Sequence, residues 1–371
     1  MNDAFGNAFR GKKVLLTGHT GFKGAWLSEW LLSLGAKVTG YALAPGTRPS
    51  LFQQLGLVSR LKHIDGDIRD AAKLAKALHA AKPDFVFHLA AQALVRPSYE
   101  RPAETFDVNA MGTAYVLDAL RGYRKPCAAV FVTTDKCYEN REWVHAYREE
   151  DKLGGHDPYS ASKAAAEIVI HSYRSSFFKN HPVKIASARA GNVLGGGDWA
   201  KDRIIPDCIR ALVKKQPIPV RNKTATRPWQ HVLEPLSGYL WLAAVLANPN
   251  FSKAAPQLIA SAFNFGPGHE SNRTVAELVA EVLKHWPGKW EDRSDPKAVH
   301  EAELLQLATD KAHALLGWSP GWKFPDAIEN TVQWYRDGAA ARSAREFQVQ
   351  TLFQINQYTE QARSLGLAWT K

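Results

Sequence analysis

Cysteine is scarce in this chain of 371 residues: only Cys127, Cys137 and Cys208 occur. An odd count without Cys-x-x-Cys spacing argues against a disulfide framework and against a cysteine zinc site, and it suits a reducing cytoplasm. No apolar run approaches the roughly twenty residues that a membrane span needs, so no membrane partner is expected. The opening Met1-Asn2-Asp3-Ala4-Phe5-Gly6 lacks a charged stretch leading into an apolar one, so no secretory signal is read. A zincin-type metal site also fails, because His300-Glu301 begins that motif but Leu304 stands where its second ligand belongs. Internal repeats and low-complexity segments are missing. What remains is ordinary globular composition, 45% hydrophobic and 22% charged, in a chain long enough for two domains or one large α/β unit.

The net charge of +11 invites nucleic acid, an anionic membrane or a phosphate-bearing substrate. The basic residues are scattered among acids, however, and the densest group, Arg121-Gly122-Tyr123-Arg124-Lys125, is small. A solvated basic face or a small phosphorylated substrate fits this better than nucleic acid.

Along the chain, Lys13-Val14-Leu15-Leu16-Thr17 reads as a strand, and Leu27, Trp30, Leu31 and Leu34 recur at helical spacing before Gly35. Val38 to Ala42 reads as the next strand. Further strands are expected at 62–64, 85–89, 129–132 and 184–188, separated by helical patterns. Alternation of this kind predicts an α/β fold, a doubly wound parallel sheet. A dinucleotide-binding domain is expected over 11–188 plus about 232–265. A smaller, mostly helical substrate-binding portion should take 189–231 and 266–340, with a helix and tail over 341–371.

Gly18, Gly21 and Gly24 lie between the first strand and its helix. Glycine there lets the backbone approach a pyrophosphate at a helix N-terminus. The sequence is not a phosphate-binding Walker loop, since no Gly-Lys-Ser/Thr follows. An acid normally ends the second strand of such units and holds the adenosine ribose. Here the strand ends Tyr41-Ala42-Leu43-Ala44, which leaves NAD and NADP both open; Arg48 is the nearest candidate for a 2′-phosphate. Asp67, after the third strand, is placed either to bond an adenine amino group or to make an Asx turn.

Tyr159 and Lys163 are four apart and share one face of a helix, where an ammonium favours a phenolate and makes a usable acid/base. Asp135-Lys136 on a Thr133-Thr134 lead-in supplies a second proton-handling pair. Neighbours on a strand face opposite ways, so Thr134, Asp135 and Lys136 converge only if the strand breaks there. Arg227, after a loop, suits a diphosphate through its planar fork, with Arg203 and Arg221 as further candidates. Trp229 reads as core packing.

These motifs, with His88-Leu89-Ala90-Ala91-Gln92 and Asn109, resemble the extended short-chain dehydrogenase/reductase family. That implies a Rossmann-type fold, NAD as cofactor with NADP as the alternative, and a homodimer or homotetramer. Cofactor contacts would fall at Gly18, Gly21, Phe22, Lys23, Gly24, Asp67, Ile68, Ala90, Ala91, Gln92, Asn109, Thr133, Tyr159 and Lys163. Thr133 to Asn140 is similar to the active-site segment of the nucleotide-sugar 4,6-dehydratases. Most relatives have Asp-Glu where this chain has Asp135-Lys136. With Arg189 to Trp199, that departure resembles the branch acting on CDP-glucose. The resemblance implies catalysis by Thr134, Asp135, Lys136, Tyr159 and Lys163. Substrate contacts would be made by Thr134, Asn192, Ile204, Arg227, Asn264 and His300. Oxidation at C4, loss of water across C5 and C6, and hydride return to C6 would follow. Lys136 is either the C5 base or an electrostatic stabiliser, since an unperturbed lysine, with a pKa of about 10.4, is a poor base near neutrality. Rival readings are an epimerase or another dehydratase of the same fold, or a non-catalytic dinucleotide-binding protein.

Overall fold

The computed structural model describes residues 3–294 and 304–371. Seven parallel strands form the central sheet: β1 (Lys13–Thr17), β2 (Lys37–Ala42), β3 (Lys62–Asp65), β4 (Phe85–His88), β5 (Cys127–Val132), β6 (Val183–Ala190) and β7 (Ala262–Phe265). Their order is β7-β6-β5-β4-β1-β2-β3. The order reverses at β1, which pairs with β2 on one side and β4 on the other. A crevice therefore opens at the carboxyl ends of β1 and β4, where open α/β sheets bind ligands. Burial explains the composition: β4 and β5 are buried along their whole length and are apolar except for His88, whereas Lys62 and Asp65 of edge strand β3 are exposed.

The helices that position the site are α1 (Phe22–Ser33), α2 (Ala71–Ala81), α3 (Gly112–Arg121), α4 (Pro158–Phe177), α5 (Ile204–Val213), α6 (Leu233–Ala247), α7 (Val275–His285), α8 (Phe324–Ala340) and α9 (Ala344–Ser364). The first ends as its spacing predicts, with Leu34 as the C-cap and Gly35 in the left-handed region at φ +79°. Helix α6, largely apolar, is buried on every side from Leu233 to Leu246 and packs on β5 and β6. None of the described helices is long and apolar enough to cross a membrane.

The loop Gly195-Gly196-Gly197 is tightly packed: a Cβ at Gly196 would lie 2.0 Å from the Trp334 ring, and the Trp26 indole donates to the Gly196 carbonyl at 2.9 Å. The C-terminal tail is a core element. Helix α9 packs on α1, and Trp369 is fully buried, stacked on Phe5 with ring centroids 5.0 Å apart and edge-on to Trp30. Its apolar residues are spaced too widely to announce a core face, and their partners lie at the opposite end of the chain.

Candidate active site

The chain leaves β5 at Val132 and breaks into a 3₁₀ turn over Asp135–Cys137, capped by extended Thr134. The Thr134 hydroxyl accepts from the Lys136 amide at 3.3 Å and donates to Asp135 Oδ1 at 2.8 Å. This break draws neighbouring residues to one side. Opposite stands the first turn of α4, opened by Asp157, whose carboxylate accepts from the Ser160 amide at 2.9 Å, and by Pro158. Tyr159 is fixed through its amide, which donates to Ser98 Oγ at 3.1 Å, and its phenol meets the Thr134 hydroxyl. Thr134, Asp135, Tyr159 and Lys163 are all buried, and Lys136 is half-buried. A methyl group at Gly191 would come within 2.8 Å of Asp135 Oδ2, so glycine there leaves the carboxylate its place.

The electrostatics depart from the sequence expectation at Tyr159. Burial pushes its phenol up to about 12, Thr134 draws it down and Asp135 pushes it further up. Burial brings the Lys163 ammonium down to about 8, against the pull of Glu167 one turn along α4. In the protein by itself desolvation is the largest influence on the phenol. Burial also raises the Asp135 carboxyl, opposed by Lys136, so a proton is held there more readily than on a surface aspartate.

The glycine turn fits a dinucleotide. Gly18 has φ +76°, and a Cβ on it would lie 2.6 Å from the Ala90 amide nitrogen; one on Gly24 would lie 2.2 Å from the Gly18 carbonyl oxygen. The N-terminus of α1 has no side-chain cap, so its amides are free to meet phosphate. Phe22 and Lys23 are half-buried at that turn. Protein surrounds the Lys23 ammonium, and burial, then Arg203, bring it down to about 8 while Asp135 opposes. At the far end of the crevice His19, buried against Gly40 of β2, meets His63 at 2.8 Å.

Several of the residues expected to meet the cofactor also bond within the protein. Asp67 makes the Asx turn to the Arg69 amide at 2.9 Å, and its carboxylate is gripped by the Arg69 guanidinium. Ile68 is buried against Gly112. Asn109 accepts from the Gln92 amide and donates to the Gln92 carbonyl and Ser162 Oγ, so it pins the Ala90-Ala91-Gln92 loop to α4 with its whole amide. The Gln92 side chain in turn bonds Leu94 and Thr105. Thr133 donates to Glu167.

The expected substrate contacts divide. Asn192 and Arg203 are half-buried, with Arg203 paired to Asp198 at 3.0 Å and close enough to Lys23 and Tyr159 to act on both. Ile204 opens α5, and Arg227 lies on the short strand Thr226–Pro228, its guanidinium donating to the Thr226 carbonyl. Arg221 is exposed and engaged by Asp202 and Asp207. Asn264 is a correction: it is wholly buried, accepts from Tyr138 and donates to the carbonyls of Tyr147 and Ala308, which leaves no donor for a substrate. His300 and the His300-Glu301 pair lie outside the described residues. Trp229 is buried and donates to the Arg273 carbonyl, as a packing residue would.

Sequence reasoning missed the network beneath the site. Glu167 accepts from Thr133, Ser187 and Arg189, and Arg189 continues to Tyr138 and the Glu149 carbonyl. A signal was present: Glu167 is one turn after Lys163, on the same face of α4. It also missed Tyr239 on α6, whose ring faces Lys23.

Comparisons with known proteins agree on the kind of protein. The profile of the GDP-mannose 4,6 dehydratase family matches residues 15–331. A CDP-glucose 4,6-dehydratase of Salmonella typhimurium is 46% identical over 89% of this chain and 92% of its own. The structure of DesIV, a dTDP-glucose 4,6-dehydratase of Streptomyces venezuelae with NAD bound, superposes with a TM-score of 0.74 at 25% identity, covering 88% of this chain and 98% of that one. A UDP-glucose 4-epimerase of Thermotoga maritima shares the fold, with a TM-score of 0.72 at 21% identity over 88% of this chain and 99% of its own.

Proposed function

The chain belongs to the GDP-mannose 4,6-dehydratase family, and on that premise we propose that it is a CDP-glucose 4,6-dehydratase, converting CDP-glucose to CDP-4-keto-6-deoxyglucose and water. The observation that carries this reading is the meeting of Thr134 with Tyr159 while Asp135 and Lys136 share the Thr134 turn. A redox tyrosine and an elimination pair then address one sugar ring. The likeness to the Salmonella enzyme supports cytidine as the base. The cofactor is NAD, which the Gly18–Gly24 turn and Lys163 would hold and which would supply the hydride acceptor and donor for the sugar.

Tyr159 would take the proton of the 4-hydroxyl as a phenolate, the form that Lys163 and the positive charge of bound NAD would favour against the upward push of burial, with Thr134 bonded to the same oxygen. The 4-ketone acidifies the C5 proton. Asp135, whose carboxyl burial pushes upward, gives its proton to the departing oxygen at C6. Lys136 receives the C5 proton or steadies the charge that develops at the C4 oxygen. Arg203 and Arg227 meet the diphosphate. The three buried free cysteines accord with a cytoplasmic setting.

Incubation with CDP-glucose and NAD, followed by alkali and an absorbance scan, should reveal the 4-keto sugar. dTDP-glucose, UDP-glucose and GDP-mannose should react far more slowly. No keto sugar from any of them would remove dehydration, and a faster reaction with another base would remove the cytidine assignment. A pH–rate comparison of Lys136→Glu with Lys136→Met tests the lysine. Lys136→Glu should keep measurable turnover with its profile moved to lower pH, and Lys136→Met should lose about 10²–10⁴-fold in kcat. Full activity in Lys136→Met would exclude both roles.

A further inference from the structure

Tyr239 lies in the middle of α6, and its side chain is fully buried. Its ring meets Phe265 edge-on with centroids 5.8 Å apart, and the Lys23 ammonium lies 5.9 Å from its centroid. Its hydroxyl has no hydrogen-bond partner among the described residues. Other core tyrosines do better: Tyr41, Tyr123, Tyr138, Tyr335 and Tyr358 each donate to a protein oxygen. A buried donor without an acceptor is costly, and phenylalanine would fill the same space without that cost. The groups that act electrostatically on the phenol are Asp135 and Tyr159, and with burial they push it far above its ordinary value, so it keeps its proton.

We propose that Tyr239 is a positioning residue for proton transfer: its ring seats the Lys23 ammonium, and its idle hydroxyl donates to the carboxylate that Asp135 becomes on delivering its proton. The inference rests on the dehydration reading. In that step the O–H bond of the Asp135 carboxyl breaks and its proton joins the C6 oxygen. That oxygen leaves as water with the C6–O electron pair. Tyr239 keeps its own proton and turns it toward the new anion. A donor idle in the resting protein is thus used at the moment charge appears.

The test is Tyr239→Phe, assayed with CDP-glucose and NAD. Its Tm should equal or exceed that of the parent, because no hydrogen bond is lost. Its kcat should fall roughly 10–100-fold, the worth of one hydrogen bond to a charged group, with KM unchanged. Without that donor the carboxylate is harder to form, so the alkaline limb of kcat should move to higher pH. On an Asp135→Asn background the same change should have no further effect. An active parent with an unchanged kcat and pH profile in Tyr239→Phe overturns the inference alone. So does a fall in kcat matched by a fall in Tm, or a full additional loss on the Asp135→Asn background. A parent that makes no keto sugar overturns the dehydration reading and this inference with it.

Discussion

Replacing Tyr159 by phenylalanine is expected to lower kcat for the CDP-glucose reaction by about 10²–10⁴-fold, the range for loss of a positioned acid/base, with little change in Tm. The fold does not depend on the phenol oxygen. Tyr159 is held by its amide bond to Ser98 and by the Asp157 cap of α4, and its hydroxyl meets Thr134 alone among the contacts described for it. The sign of the pH dependence follows from the same geometry. Burial pushes the phenol up to about 12, and the Thr134 hydrogen bond opposes that by favouring the phenolate. Thr134→Val removes the opposing bond, so the tyrosine should ionise at still higher pH. The rising limb of the kcat profile should move toward alkali. A Tyr159→Phe protein retaining a tenth or more of parental turnover, roughly 1.4 kcal/mol of barrier, would remove Tyr159 from the chemistry.

The largest stability effect is expected at Arg189. Arg189→Met should destabilise the protein by about 3–5 kcal/mol at neutral pH, the usual result of leaving a buried charge unpaired. Glu167 and Arg189 are nearly wholly buried and 2.8 Å apart. Burial by itself would raise the Glu167 carboxyl, but Arg189 and the bonds from Thr133 and Ser187 win, and its value lies below that of an ordinary glutamate. An acid depressed on folding contributes stability that is present above its unfolded value and is lost as pH falls through its folded value. Without Arg189 the burial effect wins and the sign reverses, so folding then favours protonated Glu167. Denaturant melts at neutral pH and below the ordinary glutamate value of about 4.3 should show the parent losing stability on acidification and the variant narrowing the gap. A double change to Arg189→Met with Glu167→Met should recover much of the loss. A single Arg189→Met variant within about 1 kcal/mol of the parent, the level of an exposed pair, would refute this account.

What could be read from the sequence was what is local. The βαβ start, the glycine turn and the Tyr159–Lys163 face depend on spacings of a few residues, and the structure places those elements where the periodicity put them. The break after Thr134 followed from the requirement that three consecutive residues converge. Residues whose partners are remote in sequence could not be read this way. Asn264 is saturated by Tyr138, Tyr147 and Ala308, and nothing near Asn264 in the sequence signals that. Asn109 likewise looks polar and available until its loop and helix partners are in view. The lowering of Tyr159 by Lys163 failed because spacing carries no information about desolvation. Trp369 was unreadable because its partners Phe5 and Trp30 lie near the other terminus.

The place of β7 has a consequence for synthesis. It joins the sheet beside β6, but the ribosome delivers it only after the whole excursion from Gly191 to Ser261. Until then a nascent chain offers β6 as an open, apolar border able to pair with any passing strand. The cell must shelter that border for the time needed to make the missing residues. Asn264 then arrives on β7 and accepts the hydroxyl of Tyr138, the bonding partner of Arg189, so the buried charge network is completed only when β7 covers β6 and takes its place at the sheet's edge.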